Sequence, residues 1–266
     1  MENDKPFIIT AEELFLFSLS RGLPYIPGVP DAINAMTNSE GLESTLNLAA
    51  RVLASRGIAP TVVDQSQPIS QNESLLILLC RPDLRVVVSI FDDSDSIVWD
   101  MVKGAGRALL HAWGRANEHL ISEFDPTDFY EKLCDLAGLN KMDEVSEHSC
   151  ETITVKEVSK FAEFDIETLS AKIKEWNESS DCLESESISL ASALKGKSPT
   201  VLVTFNGSDS QNSRIALSSW MPSTSSTLWL VERSEDTTSN QGQVSLAHKD
   251  KSALAKVLKD NLEKVT

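Results

Sequence analysis

The sequence predicts an α+β fold: antiparallel strands joined into one sheet, helices packed beside it, and two similar halves related by a quasi-two-fold axis. Three observations carry this expectation. Apolar residues recur at helical spacing in the first 80 residues and then alternate singly from Val86 onward. The second half repeats that plan of helices, strands and a closing helix. Two strings also match in letters: Arg107–Trp113 lies on Arg214–Trp220, and Arg85–Ile90 lies on Thr200–Phe205. A duplicated unit accounts for both the plan and the letters. It places a first half at residues 1–139 and a second at 150–266 of a single domain.

Each element has its own warrant. Phe7-Ile8-Ile9 reads as a strand, and Thr10-Ala11-Glu12-Glu13 as a capping box that opens a helix ending at Gly22. Pro24, Pro27 and Pro30 make an extended link. Apolar residues at 42, 46, 49, 50 and 53 mark one helix face, closed by Gly57. Gln71–Cys80 reads as a short helix. Val86–Ile90, Ile97–Val102, Arg107–Trp113 and Asn117–Phe124 read as strands, with a turn at Gly104-Ala105-Gly106. A helix through Phe129, Leu133 and Leu136 ends at Gly138. In the second half, helices are expected at Val155–Phe161, Asp165–Asn177 and, after a serine-rich acidic stretch, Ser187–Leu194. Strands follow at Val201–Phe205, Arg214–Trp220, Thr227–Glu232 and Val244–His248. Asn206-Gly207 gives a hairpin signal, and a helix spans Asp250–Lys264. Trp113 and Trp220 end alternating strands and are expected in the core.

The charge narrows the function. Lys and Arg number 24 against 40 Asp and Glu, a net charge of −16. Nucleic acid is bound by basic side chains that displace counterions, and no basic block exists here. The N-terminus lacks the basic start and apolar run of a signal peptide, and the longest apolar run, Leu75–Cys80, is far shorter than a membrane helix needs. Cys80, Cys134, Cys150 and Cys182 are widely spaced, as buried thiols of a cytoplasmic protein rather than a disulfide framework.

No catalytic or cofactor motif emerges. His111, His119, His148 and His248 form no metal-binding pair; His111 and His119 fall in strands, where one face is usually solvated. His148-Ser149-Cys150 lacks the second ligand pair of a zinc site. Asp92-Asp93-Ser94-Asp95-Ser96 lacks the glycine and distal glutamate of a calcium loop and reads as a solvated hairpin tip. Gly104-Ala105-Gly106 begins like a dinucleotide fingerprint, but Leu109 stands where its third glycine belongs. The reading is a non-enzyme with no cofactor and no metal.

The strings Phe7-Ile-Ile-Thr-Ala-Glu-Glu-Leu14 with its Leu23-Pro24 stop, and Leu48-Ala-Ala-Arg-Val-Leu-Ala-Ser-Arg-Gly57, are similar to the opening of EspG-type proteins. Leu75–Leu79, Arg81-Pro82-Asp83 and the strand Arg85–Ile90 follow in the same order. The resemblance implies a central antiparallel sheet flanked by helical bundles. It also implies a cytoplasmic chaperone of actinobacterial type VII (ESX) secretion, which binds a helical PE/PPE-like or WxG-like substrate and keeps it soluble. Such a protein needs an exposed apolar or aromatic patch. The expected contact elements are the loops bearing Asp92, Asp93 and Asp95 and bearing Lys103, with the helices bearing Phe161, Phe164 and Trp176. Neither a nucleic acid nor a membrane is expected as partner, and the chain is expected to be a monomer or weak homodimer. The alternative reading is an acidic immunity or antitoxin-like protein that masks a basic toxin, which the charge of −16 also suits.

Overall fold

The computed structural model describes residues 5–23, 41–58, 70–91, 96–114, 117–141, 152–156, 163–177, 184–192, 194–195, 200–208, 213–222, 228–232, 244–249 and 251–266. The chain forms two compact units. One comprises Met1–Val86, Trp99–Phe129 and Gly207–Ser213; the other comprises Val87–Val98, Tyr130–Asn206 and Arg214–Thr266.

The fold is α+β, and every strand pair whose register is described is antiparallel. The early strands are β1 (Phe7–Thr10), β2 (Leu84–Phe91), β3 (Ser96–Gly104), β4 (Arg107–Trp113) and β5 (Glu118–Phe124), in the spatial order β1-β5-β4-β3-β2. The late strands are β6 (Thr152–Val155), β7 (Thr200–Ser208), β8 (Ser213–Pro222), β9 (Leu228–Glu232) and β10 (Val244–Lys249), in the order β7-β8-β9-β10-β6. In both series four strands form a meander, and the series' first strand pairs with its last.

That topology corrects one part of the sequence reading. Arg85–Ile90 and Thr200–Phe205 both fall on the first meander strand, β2 and β7. Arg107–Trp113 is the third meander strand of its series, whereas Arg214–Trp220 lies on the second. The second letter match therefore joins strands that are not equivalent; short apolar strands resemble one another whatever their place. Two local expectations also change. Val155 ends strand β6, paired with β10, rather than opening a helix. Asn206 and Gly207 continue β7 instead of turning; a local turn preference does not decide the conformation of a residue inside a longer strand.

In the first unit, α1 (Ala11–Ser20), α2 (Leu42–Ser55) and α3 (Gln71–Cys80) bury one sheet face. The core joins Leu14 and Phe17 of α1, Leu53 of α2, and Leu75, Leu76, Leu78, Leu79 and Cys80 of α3 to Ile9, Val102, Leu109 and Ile121 of the strands. The capping box forms as expected: Thr10 N–H donates to Glu13 Oε2 at 2.8 Å, and Glu13 N–H donates to Thr10 Oγ1 at 3.3 Å. Arg56, just past α2, ties that helix to the sheet edge by donating to the Ile8 carbonyl at 2.6 Å while lying 3.5 Å from Glu13 Oε2. Arg21 and Glu73 pair α1 with α3.

In the second unit, α4 (Phe129–Leu136) contributes Leu133, α5 (Ile166–Trp176) Leu169 and Ile173, and α6 (Glu184–Ser192) Leu190. The last helix, α7 (Lys251–Val265), contributes Leu254 and Leu258; all are buried. The Tyr130 hydroxyl donates to the Ala255 carbonyl at 2.7 Å, and Ser170 and Ser187 share a buried hydroxyl contact of 2.9 Å between α5 and α6.

The β3–β4 turn sets two opposite demands on adjacent residues. Ala105 and Gly106 have φ of 49° and 74°, the pair of positive values that a tight type I′ hairpin requires. Glycine meets this freely; alanine does not. At Gly104 the limit is space, since a Cβ there would lie 3.0 Å from both Asp83 Oδ2 and Leu78 Cδ1. Ala105→Asn is therefore expected to raise stability by about 0.5–1 kcal/mol, and Gly104→Ala to lower it. Urea unfolding midpoints at unchanged slope would check both.

Candidate partner-binding surface

The strand registers of the first unit define two sheet faces. Asp100 lies opposite His111, Val102 opposite Leu109, Trp113 opposite His119, and His119 opposite Ile9. Side chains directly opposite share a face, so all of these point toward the helices. The alternate residues form the other face. There Trp99 lies opposite Ala112, Ala112 opposite Leu120, and Leu120 opposite Ile8. This is one unbroken apolar row across β3, β4, β5 and β1.

Among the described residues, no helix of the first-unit core covers the row. Trp99, Ala112 and Leu120 are half-buried, as is Leu110 beside them, and Ile8 is 44% exposed. Three strand spacings of about 4.8 Å give it a length of about 14 Å, close to the width of about 10–12 Å of a helix with its side chains. The same face is sealed at its other end. There Phe129 stacks on Phe124 with centroids 6.0 Å apart, Ala108 and Met101 are buried, and Lys103 Nζ lies 5.9 Å from the Phe129 ring centre. The open part is thus bounded rather than a whole bare face.

The expected contact residues fall into three groups. Lys103 is half-buried, and its ammonium also donates to the Pro126 carbonyl at 3.4 Å, so it works inside the first unit. Phe164 and Trp176 are brought together at either end of α5 by Lys172, whose Nζ lies 5.0 and 5.9 Å from their ring centres. Asp92, Asp93 and Asp95 lie outside the described residues, as does Phe161. The residues on either side of this acidic stretch of sequence are described, and two are apolar and open: Phe91 at 45% and Ile97 at 51% exposure.

The sequence reading missed both the row and its counterpart on the inner face. The signal was present, because Ala108-Leu-Leu-His-Ala-Trp113 and His119-Leu-Ile121 are apolar at both parities, which a strand solvated on one face does not need. His111 and His119 correct the expectation of a solvated position. They are 0% and 2% exposed, and His111 Nε2 meets His119 Nδ1 at 2.8 Å. Trp113, expected in the core, is half-buried and rests on His111 with ring centres 4.5 Å apart. For Trp220 only its place on β8 is described.

Asp100, fully buried, lies 3.3 Å from Arg85 Nε and 3.6 Å from His111 Nδ1, and Arg85 also donates to the Leu79 carbonyl. Among the described residues no group of three or more metal-ligating side chains is clustered, and no helix is long and apolar enough to cross a membrane. Burial raises the Cys80 thiol to about 12, far from the range of a reactive cysteine.

The two faces differ in what they contribute to stability. Leu79→Ala on the helix side is expected to cost about 2–5 kcal/mol. Leu120→Ala in the open row should cost less than about 1.5 kcal/mol, because water already reaches its side chain. Denaturant unfolding of the two variants side by side checks this.

Comparison with protein families finds no match, and comparison with characterised proteins finds none. Among solved structures, the Mycobacterium tuberculosis type VII secretion system chaperone EspG5, in complex with a PE25–PPE41 dimer, matches this fold with a TM-score of 0.61. The match covers 98% of this chain and 97% of that one at 10% sequence identity. At that identity the likeness is one of fold, shared over nearly the whole length of both chains.

Proposed function

We propose that this chain is a chaperone that binds a helical protein through the open apolar row Trp99–Ala112–Leu120–Ile8. The row is the observation that carries the reading. An apolar strip of about one helix's width, half-open to water, suits a client helix better than a small molecule. The fold-level likeness to EspG5, described in complex with a PE25–PPE41 dimer, supports a helical client. The finer reading is a cytoplasmic chaperone of type VII secretion whose client is a PE/PPE-like or WxG-like helical substrate. It acts without metal or cofactor, as a monomer or weak homodimer. Asp92, Asp93 and Asp95, between exposed Phe91 and Ile97, steer basic segments of the client, while Phe164 and Trp176 offer aromatic surface on α5. The two strand series are read as copies of one ancestral unit, a reading supported by their identical strand order.

A client interface of ordinary size buries about 1,200–2,000 Å² in total. Co-expression with helical secretion substrates encoded nearby should therefore yield a complex that survives gel filtration at micromolar concentration. Ile8→Asp and Leu120→Asp are expected to abolish co-elution while leaving each variant folded, as judged by its thermal melt. Co-elution unaffected by either charge would remove the row from the interface. Absence of any helical client, together with tight binding of a basic toxin, would establish the immunity reading instead.

A further inference from the structure

We propose that His111 and His119 form an acid-sensitive latch that fastens β5, and β1 beyond it, to β4. The two residues are diagonal neighbours on adjacent strands, since His111 lies opposite Ile121 and His119 opposite Trp113. Their rings are nearly parallel, 16° apart with centres at 5.0 Å, and the 2.8 Å contact between His111 Nε2 and His119 Nδ1 holds a single proton. One ring donates and the other accepts.

The surroundings decide how many protons the pair tolerates. On β3, Asp100 faces His111 Nδ1 at 3.6 Å; on β2, Arg85 faces Asp100 at 3.3 Å and already offsets its charge. On α3, the Cys80 thiol near Arg85 stays neutral. On β1, the residue opposite His119 is Ile9, and on α1 the Glu13 carboxylate is held by the Thr10 amide and Arg56. With both rings protonated, N–H meets N–H and cation meets cation across the contact, and the bond is lost.

Burial, and then the neighbouring His111, lower the His119 pKa from 6.5 to about 4. The sign follows from linkage. The unfolded or opened segment takes up a proton near 6.5 and the closed one only near 4, so closure is fully favoured above 6.5 and loses its advantage as pH falls to 4. The latch thus opens on acidification, and the segments it frees are β5 and β1.

Two measurements on the intact chain test this. In ¹⁵N-histidine NMR at pH 7.5, two rings should show a scalar coupling across an N–H···N bond, and that coupling should vanish as pH falls toward 4. In hydrogen exchange corrected for intrinsic rates, protection of residues 117–124 and 7–10 relative to 71–80 should drop by up to about 100-fold between pH 7 and 4.5. His119→Gln, which cannot titrate, should abolish that pH dependence; if this variant does not fold, the wild-type NMR titration decides alone. No coupling at pH 7.5, coupling that persists at pH 4, pH-independent protection of residues 117–124, or the same pH dependence in His119→Gln would each overturn the latch.

Discussion

The two-residue period of β3, β4, β5 and β1 is the constraint on which the rest of the first unit depends. Successive side chains in a strand point to opposite faces, so placing Ile9, Val102, Leu109 and Ile121 against three helices fixes where their neighbours go. It puts Asp100, His111 and His119 into the same sealed layer and leaves Trp99, Ala112, Leu120 and Ile8 on the other side. A slip of one residue would turn the apolar row inward and drive Leu109 and Ile121 out. The polar cluster and the open strip are two consequences of one register.

That register also explains why the inner layer tolerates ionisable groups. Asp100 is fully buried, and such a carboxylate is sustained only by a partner that is held in place. Arg85 is that partner, with its guanidinium anchored on the Leu79 carbonyl at the end of α3. The helix layer and the strand layer are therefore joined by charge as well as by apolar packing. At the sheet edge, Arg56 adds a second tie by occupying the Ile8 carbonyl, a group that an edge strand would otherwise offer to another chain.

Much of this was legible in the sequence wherever local chemistry decides the outcome. The capping box at Thr10–Glu13, the helices Leu42–Ser55 and Gln71–Cys80, and the turn at Ala105-Gly106 follow from propensity, period and caps alone. What failed depends on pairing between distant segments. Asn206-Gly207 has the letters of a turn, yet it lies inside β7. Val155 reads as a helix start until β10 pairs with it. The letters of Arg214–Trp220 suggested the wrong equivalent strand, because alternating apolar strands carry little that distinguishes one from another. The candidate surface escaped for a related reason. Trp99, Ala112, Leu120 and Ile8 are spread over more than a hundred residues of sequence and become one row only when the register is known.

On the proposed reading, the outer row, and not the inner layer, meets the partner. Two tryptophans on opposite faces of adjacent strands make that directly measurable, since Trp99 on β3 belongs to the row and Trp113 on β4 packs on His111. Hydroxyl-radical footprinting of the chain alone and in complex with a helical client reports the exposure of each indole separately. Trp99, with Leu120, is expected to become protected on binding while Trp113 reacts as before. Protection of Trp113 with Trp99 unchanged would contradict it.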